Sequence, residues 1–204
     1  MTEVSLKEID SYPVGTIFIP PSKSIGHRAV ICAALAGAQG EDFGLKNLDV
    51  SEDIIATSRA MNQLLNGDNL DDIDCGESGS TLRFLIPIAA MSGKECNFVG
   101  RGRLMERPLD IYEDIFNKQK LLFKKTDKGI TIKGPLASGT YTMPGNISSQ
   151  FITGMMFALS LCEHDSEIIL STYLESRDYV ELTIDTMRSF GVDVKKVTCK
   201  RKNQ

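Results

Sequence analysis

Pro20-Pro21-Ser22-Lys23-Ser24-Ile25-Gly26-His27-Arg28, followed at once by the apolar run from Ala29 to Ala38, decides how this chain is read. Two prolines stop a strand, a serine stands ready to cap, and Lys23 and Arg28 enter a helix too apolar to lie anywhere but inside. Buried cations need an anion. The free N–H groups and positive dipole end of a helix N-terminus already favour phosphate or carboxylate, and the two side chains add full charge and directed donors.

The arrangement recurs. Gly76-Glu77-Ser78-Gly79-Ser80-Thr81 precedes the apolar stretch 82–91, and Asn146-Ile147-Ser148-Ser149-Gln150 precedes the apolar stretch 151–159. Three buried helices are therefore expected to begin with small hydroxyl residues. Each has a more amphipathic partner, over residues 52–65, 110–122 and 179–190, and strand-like runs fall at 16–19, 97–99, 129–133, 140–143, 167–170 and 192–197. The organisation that follows is α+β, with three divergent strand-and-helix copies of roughly 55 to 70 residues each.

A chain of 204 residues can bury a core as one domain or as a large half of something bigger. Hydrophobic content is 42%, and no apolar stretch approaches the roughly 18 residues needed to cross a bilayer, so no membrane partner is expected. The opening residues Met1-Thr2-Glu3-Val4 lack a basic region followed by an apolar core, which makes the cytoplasm the expected location. The five cysteines (Cys32, Cys75, Cys96, Cys162, Cys199) are odd in number and show no Cys-x-x-Cys spacing. That disfavours a disulfide framework and a zinc site, and neither metal nor cofactor is expected. A net charge of −4 argues against nucleic acid as a partner. The basic run at Lys195-Lys196 and Lys200-Arg201-Lys202 reads as a solvated tail. Against that acidic balance, Lys23, Arg28, Arg83, Arg101, Arg103 and Arg107 all fall in or beside the glycine and serine loops, a local positive focus suited to a small, multiply charged anion.

Four stretches carry a family resemblance: Pro21-Ser22-Lys23-Ser24-Ile25-Gly26-His27-Arg28-Ala29, Gly76-Glu77-Ser78-Gly79-Ser80-Thr81-Leu82-Arg83, Gly102-Arg103-Leu104-Met105-Glu106-Arg107-Pro108-Leu109 and Ser148-Ser149-Gln150-Phe151. In that order they resemble the successive signatures of the 5-enolpyruvylshikimate-3-phosphate synthases, the 3-phosphoshikimate 1-carboxyvinyltransferases. The match runs over residues 6–194 and covers only the amino-terminal half of that family. The resemblance implies one domain of the enolpyruvyl transferase fold over residues 20–204, with buried helices inside and sheets outside. It also implies an initial segment, residues 1–19, that would pack with a second, carboxyl-terminal domain.

The family's reaction moves the enolpyruvyl group of phosphoenolpyruvate to the 5-hydroxyl of shikimate 3-phosphate and releases phosphate, a step of the shikimate pathway to aromatic amino acids. Carried over by motif, Lys23 would lie near the reacting hydroxyl and the phosphoenolpyruvate phosphate, as the catalytic residue of this half. Ser24 and Arg28 resemble ligands of shikimate 3-phosphate, Arg28 for its carboxylate. Gly79 would let the backbone approach phosphoenolpyruvate, with Arg103 as a cationic clamp and Arg83 as a further contact or loop-ordering group. Ser148 and Ser149 resemble the pair that holds the ring phosphate, Gln150 a contact to the ring, and Ser176 and Tyr179 the residues that complete the pocket.

Plainer roles compete for several of these positions. Ser22, Ser80 and Ser148 suit helix caps. Arg107 suits a loop-fixing salt bridge, His27 a first-turn surface or packing role, and His164 a turn. Asp53 suits a dipole-complementing carboxylate, with a link to Lys23 as the minority alternative. Glu77 stands where many family members carry asparagine. The family's acid and base groups from the second half have no counterpart in these residues, so the chain alone is expected to bind weakly and be inactive. Two alternatives remain: a non-catalytic anion-binding or regulatory domain derived from the synthase, and a UDP-sugar enolpyruvyl transferase. The latter would carry a reactive cysteine in the loop where this chain has Gly102 to Arg107, and it lacks the Ser-Ser-Gln pair.

Overall fold

Serine hydroxyls do start the three most apolar helices of the computed structural model, which describes residues 15–40 and 43–197. The described helices are α1 (Lys23–Leu35), α2 (Glu52–Asn66), α3 (Gly79–Ala90), α4 (Asp110–Lys118), α5 (Ser149–Leu159) and α6 (Arg177–Ser189). Ser22 accepts from the Ile25 N–H at 3.4 Å, Ser78 from the Thr81 N–H at 3.2 Å, and Ser148 from the Gln150 N–H at 3.4 Å. The cap of α3 is thus Ser78 rather than Ser80, because the helix begins at Gly79, three residues before the apolar stretch.

Six strands are described: β1 (Ile73–Asp74), β2 (Glu95–Val99), β3 (Leu122–Lys125), β4 (Ile130–Lys133), β5 (Thr140–Met143) and β6 (Glu167–Leu170). They form one sheet in the order β1-β2-β4-β3 and a second of β5 with β6. Strands β1 and β2 run parallel around α3, and β5 and β6 run parallel around α5. A helix following each pair, α4 or α6, completes the same strand–helix–strand–helix order twice. The stretch carrying α1 and α2 has no described strand of its own, and α2 packs on β1 of the next copy.

Helix contacts close a ring, α1 on α2, α2 on α3, α3 on α5, α5 on α6 and α6 back on α1. The tightest of these is α3 against α5, and glycine makes it possible: a Cβ at Gly154 would collide with the Tyr112 hydroxyl and the Arg83 carbonyl, and lie 3.1 Å from Pro87. Pro87 sits inside α3, so its missing N–H leaves the carbonyl of Arg83, four residues earlier, without an intrahelical donor. The buried Tyr112 hydroxyl donates to that oxygen at 2.5 Å. Phe84, Phe157, Tyr112 and Phe151 fill the space between the helices in edge-to-face pairs.

Three expectations fail here. Residues 16–19 are not a strand; they have no described partner, and Ile17, Phe18 and Ile19 are 81%, 97% and 80% exposed. Residues 192–197 are likewise irregular. The second amphipathic helix ends at Lys118, where Lys120 turns into the left-handed region (φ 58°), and the chain re-enters as β3. The expected initial segment lies mostly outside the described residues, with only residues 15–19 in view. No helix among the described residues is long and apolar enough to cross a membrane.

Candidate functional site

The amino ends of α1, α3, α5 and α6 meet at a cleft of about 300 Å³. From α1 come Ser24, His27 and Arg28, and from α3 Ser80 and Phe84; α5 and its cap bring Ser148, Ser149 and Gln150, and α6 and its cap bring Ser176 and Tyr179. Seven of the residues singled out from the sequence therefore share one wall: Ser24, Arg28, Ser148, Ser149, Gln150, Ser176 and Tyr179. Converging helix N-termini make that wall electropositive before any side chain is counted.

Arg28 is the centre of the charge. The residue is 3% exposed, and its guanidinium donates through Nε to Thr183 Oγ1 at 2.8 Å, through Nη1 to the Ser24 carbonyl at 2.7 Å, and through Nη2 to the Tyr179 carbonyl at 3.0 Å. A longer contact reaches Thr153 Oγ1 at 3.5 Å, and Phe84 lies under the guanidinium at 5.4 Å. Every one of these acceptors is neutral. Burial pulls the Arg28 pKa down to about 10, so it stays charged at neutral pH without a carboxylate partner among the described residues. A cation in that position favours any anion that can enter. Around it the Ser24, Ser149 and Ser176 hydroxyls make no hydrogen bond within the described residues and remain free to donate.

Gln150 is fixed rather than free. Its Oε1 accepts from Arg83 Nη1 at 2.7 Å and its Nε2 donates to Ser80 Oγ at 2.8 Å, which ties α5 to α3 across the cleft. Arg83 also donates to the Pro108 carbonyl at 3.3 Å and lies over the Phe151 ring at 4.9 Å. Burial, followed by the nearby Arg107 charge, depresses its pKa. Arg83 thus backs the wall without lining it.

Lys23 lies outside the lining set. Its Nζ donates to Asp53 Oδ2 at 2.7 Å, which is the link to Lys23 that sequence reasoning ranked below a simple dipole role for Asp53. Asp53 lines a second hollow of about 240 Å³ with Glu52, Asp74, Glu77, Arg59 and Arg101. Glu77 therefore faces this second hollow rather than the first, with its carboxylate beside Gly102. Arg103 is 89% exposed and pairs with Glu106 at 2.9 Å, so it stands apart from the cleft. The salt bridge of that loop belongs to Arg103; Arg107 instead lays its guanidinium against Gly79, where a Cβ would collide with it. The Gly79 backbone is thus open to close approach, by a cation of the protein itself.

His27, expected as a surface or packing residue, is a wall of the cleft. It is 2% exposed, and its Nδ1 lies 2.7 Å from Thr57 Oγ1. Ser80 and Phe84 also line the cleft without having been singled out as site residues. Helix periodicity could have found them, since Ser80 and Phe84 are four apart on α3 and His27 is three from Ser24. Among the described residues no group of three His, Cys, Asp or Glu side chains stands close enough to hold a metal ion.

The sequence profile of EPSP synthase (3-phosphoshikimate 1-carboxyvinyltransferase) matches residues 46–203. The 3-phosphoshikimate 1-carboxyvinyltransferase of Clostridium perfringens (strain SM101 / Type A) is 45% identical, covering 89% of this chain and 47% of the relative. That of Clostridioides difficile (strain 630) is 42% identical, covering 93% and 49%. A solved EPSP synthase from Acinetobacter baumannii superposes with a TM-score of 0.70 at 21% identity, over 90% of this chain and 45% of its own, a likeness of fold. The chain spans about half the length of the curated relatives it matches. With a profile covering most of its length, this chain belongs to the EPSP synthase family.

Proposed function

We propose that this chain supplies the shikimate 3-phosphate side of an enolpyruvyl transferase site. The observation that carries the reading is Arg28, a buried guanidinium with only neutral partners, set among three uncommitted serine hydroxyls. A phosphate monoester carries about −1.5 to −2 near neutral pH, and shikimate 3-phosphate adds a carboxylate. Ser148 and Ser149, at the start of α5, take the phosphate, where hydroxyls and helix N–H groups coincide. Arg28 takes the carboxylate. Ser24, Ser176, Tyr179 and Gln150 frame the ring.

Phosphoenolpyruvate binds beside this ligand against Lys23, Gly79, Arg83 and Arg103. The 5-hydroxyl gives up its proton to a base as its oxygen bonds to C2 of phosphoenolpyruvate, and the methylene carbon takes a proton from an acid. Loss of a proton from that carbon and departure of phosphate then restore the enol ether. Lys23 stabilises charge on the transferring groups. The two substrates together bring roughly five to six negative charges, more than Lys23, Arg28, Arg83 and Arg103 offset. A carboxyl-terminal domain contributes the remaining cations and the acid and base groups, closing over the cleft and excluding water.

The same reading assigns residues 1–19 to packing with that domain and 20–204 to the amino-terminal domain. Its three copies are α1 with α2, then β1 to α4, then β5 to α6. The four described cysteines are all unpaired, which suits a cytoplasmic enzyme. Titration calorimetry with shikimate 3-phosphate tests the binding half of the proposal, with millimolar or weaker affinity expected for the chain alone. Phosphate release on adding the carboxyl-terminal half of a family member tests the rest. Silence from two well-folded halves would favour a binding module without catalysis.

A further inference from the structure

We propose that His27 determines specificity within this cleft: its Nε2 accepts a hydrogen bond from a hydroxyl of the bound ring, and Thr57 holds the imidazole in the tautomer that allows it. The proposal rests on the reading of the cleft as a site for a hydroxylated, phosphorylated acid. Two observations and one chemical contrast carry it.

The first is an orphan. His27 Nε2 is buried and has no hydrogen-bond partner, although its ring lines the cleft. A buried polar atom left unpaired costs on the order of 1–3 kcal/mol, so such an atom at a cavity wall points to a partner that arrives from outside. The ring is not free to turn away. Phe84 meets it edge-on with centroids 6.1 Å apart, and Nδ1 is held at 2.7 Å by Thr57 Oγ1.

The second is the hydroxyl ladder behind the ring. Thr57 Oγ1 lies 3.0 Å from the Asp53 carbonyl and 2.6 Å from Thr81 Oγ1, which in turn lies 2.7 Å from Ser78 Oγ. Thr81 Oγ1 gives its proton to Ser78 Oγ, with the Asp53 carbonyl a further acceptor at 3.3 Å, so the short contact between the two threonines takes the Thr57 proton. Thr57 Oγ1 is then left to accept from His27 Nδ1. With its proton on Nδ1, the imidazole of this lining residue carries a bare lone pair at the buried, unpartnered Nε2. Burial supports the neutral form by drawing the His27 pKa down to about 4, Lys23 and Arg28 adding to the fall and Asp53 opposing it.

The third is contrast. Arg28 and the helix N-termini are donors, and the serine hydroxyls serve either way; an Nε2 lone pair is a pure acceptor. Facing it, a phosphate or carboxylate oxygen would be repelled, whereas an alcohol O–H would be matched. The cleft therefore selects an anion that also carries a hydroxyl and rejects the same anion without one. Sites built to bond a substrate hydroxyl discriminate strongly against the analogue that lacks it.

The test is nitrogen-15 NMR on the unaltered chain, whose two histidines give His27 as the probe and His164 as an internal reference. The free chain is expected to show His27 protonated at Nδ1 and bare at Nε2. Saturating shikimate 3-phosphate should shift the Nε2 signal. One of the 4-deoxy and 5-deoxy analogues should leave it unmoved while still shifting the Ser149 amide, which reports occupancy. His27→Phe should weaken shikimate 3-phosphate binding about tenfold and leave binding of that analogue unchanged. A protonated Nε2, or an Nε2 signal that ignores ligand while the Ser149 amide responds, overturns this proposal and leaves the cleft assignment standing. No response at either nucleus overturns both.

Discussion

The Tyr112 hydroxyl of α4 donates at 2.5 Å to the Arg83 carbonyl of α3, the one oxygen that Pro87 leaves without a helical N–H. A proline inside a helix is thereby tolerated, and the backbone that carries Arg83 is fixed from outside the helix. Tyr112→Phe keeps the ring packing and strands that carbonyl. It should destabilise the fold by about 1–3 kcal/mol, read as a lower midpoint in urea with an unchanged slope. A variant as stable as the parent would mean that water or another donor serves the carbonyl.

The approach of α5 to α3 depends on Gly154, whose missing Cβ leaves room for the Tyr112 hydroxyl and Pro87. Gly154→Ala should cost about 1–3 kcal/mol despite alanine's better helix propensity, because overpacking outweighs a propensity gain of about 1 kcal/mol. Urea denaturation decides the sign. A stabilised variant would show that the two helices can part without loss.

Much of this arrangement is legible in the residues, and the failures have local causes. The caps and apolar runs mark α1, α3 and α5 because serine before a hydrophobic stretch has few other uses. Residues 16–19 and 192–197 have strand-like composition, but a strand also needs a neighbour, and none is described for either. The end of α4 is hidden because the left-handed turn at Lys120 is made by lysine, without the glycine that usually announces it. At the site, Ser24, Arg28 and the Ser148-Ser149-Gln150 triplet carry their signal in a contiguous motif. His27 sits inside the same motif, yet only the packing of α2 and α3 reveals that it is buried and which of its nitrogens is engaged.

Lys23 and Asp53 join the first turns of α1 and α2 at 2.7 Å, with the lysine half-exposed. An exposed pair of this kind adds about 0–1 kcal/mol to stability, so Asp53→Asn should scarcely change the melting temperature. Its effect belongs to Lys23, which loses the carboxylate that orients its ammonium. In the reconstituted enzyme Asp53→Asn should lower phosphate release about tenfold, and Lys23→Ala should abolish it. Unchanged turnover in Asp53→Asn would show that Lys23 finds its place through substrate alone.

His27 makes stability pH-dependent. Its pKa falls from 6.5 to about 4 on folding, chiefly through burial, so the unfolded chain binds the extra proton between those values. The contribution is complete above pH 6.5 and is lost as pH falls towards 4, by on the order of 3 kcal/mol. His27→Asn should flatten that part of the profile while the carboxylates keep theirs. Urea midpoints at pH 7, 6, 5 and 4.5 give the comparison, and parallel profiles for parent and variant would refute the assignment.

Arg28 sets binding against stability most sharply. A buried cation with neutral acceptors is costly to desolvate, and replacing such a group by an apolar one of similar length is often neutral or stabilising. Arg28→Met removes the charge and keeps much of the volume between Phe84 and Thr183. The Thr183 hydroxyl retains the Tyr179 carbonyl as its acceptor at 2.9 Å, so little is left unpaired. The variant should match or exceed the parent in urea and lose at least tenfold in affinity for shikimate 3-phosphate, since a charge-assisted hydrogen bond to an anion is worth about 1.5–3 kcal/mol. A variant that unfolds readily, or one that binds as before, would show that the guanidinium is structural and that the anion is held by the serines and helix N-termini alone.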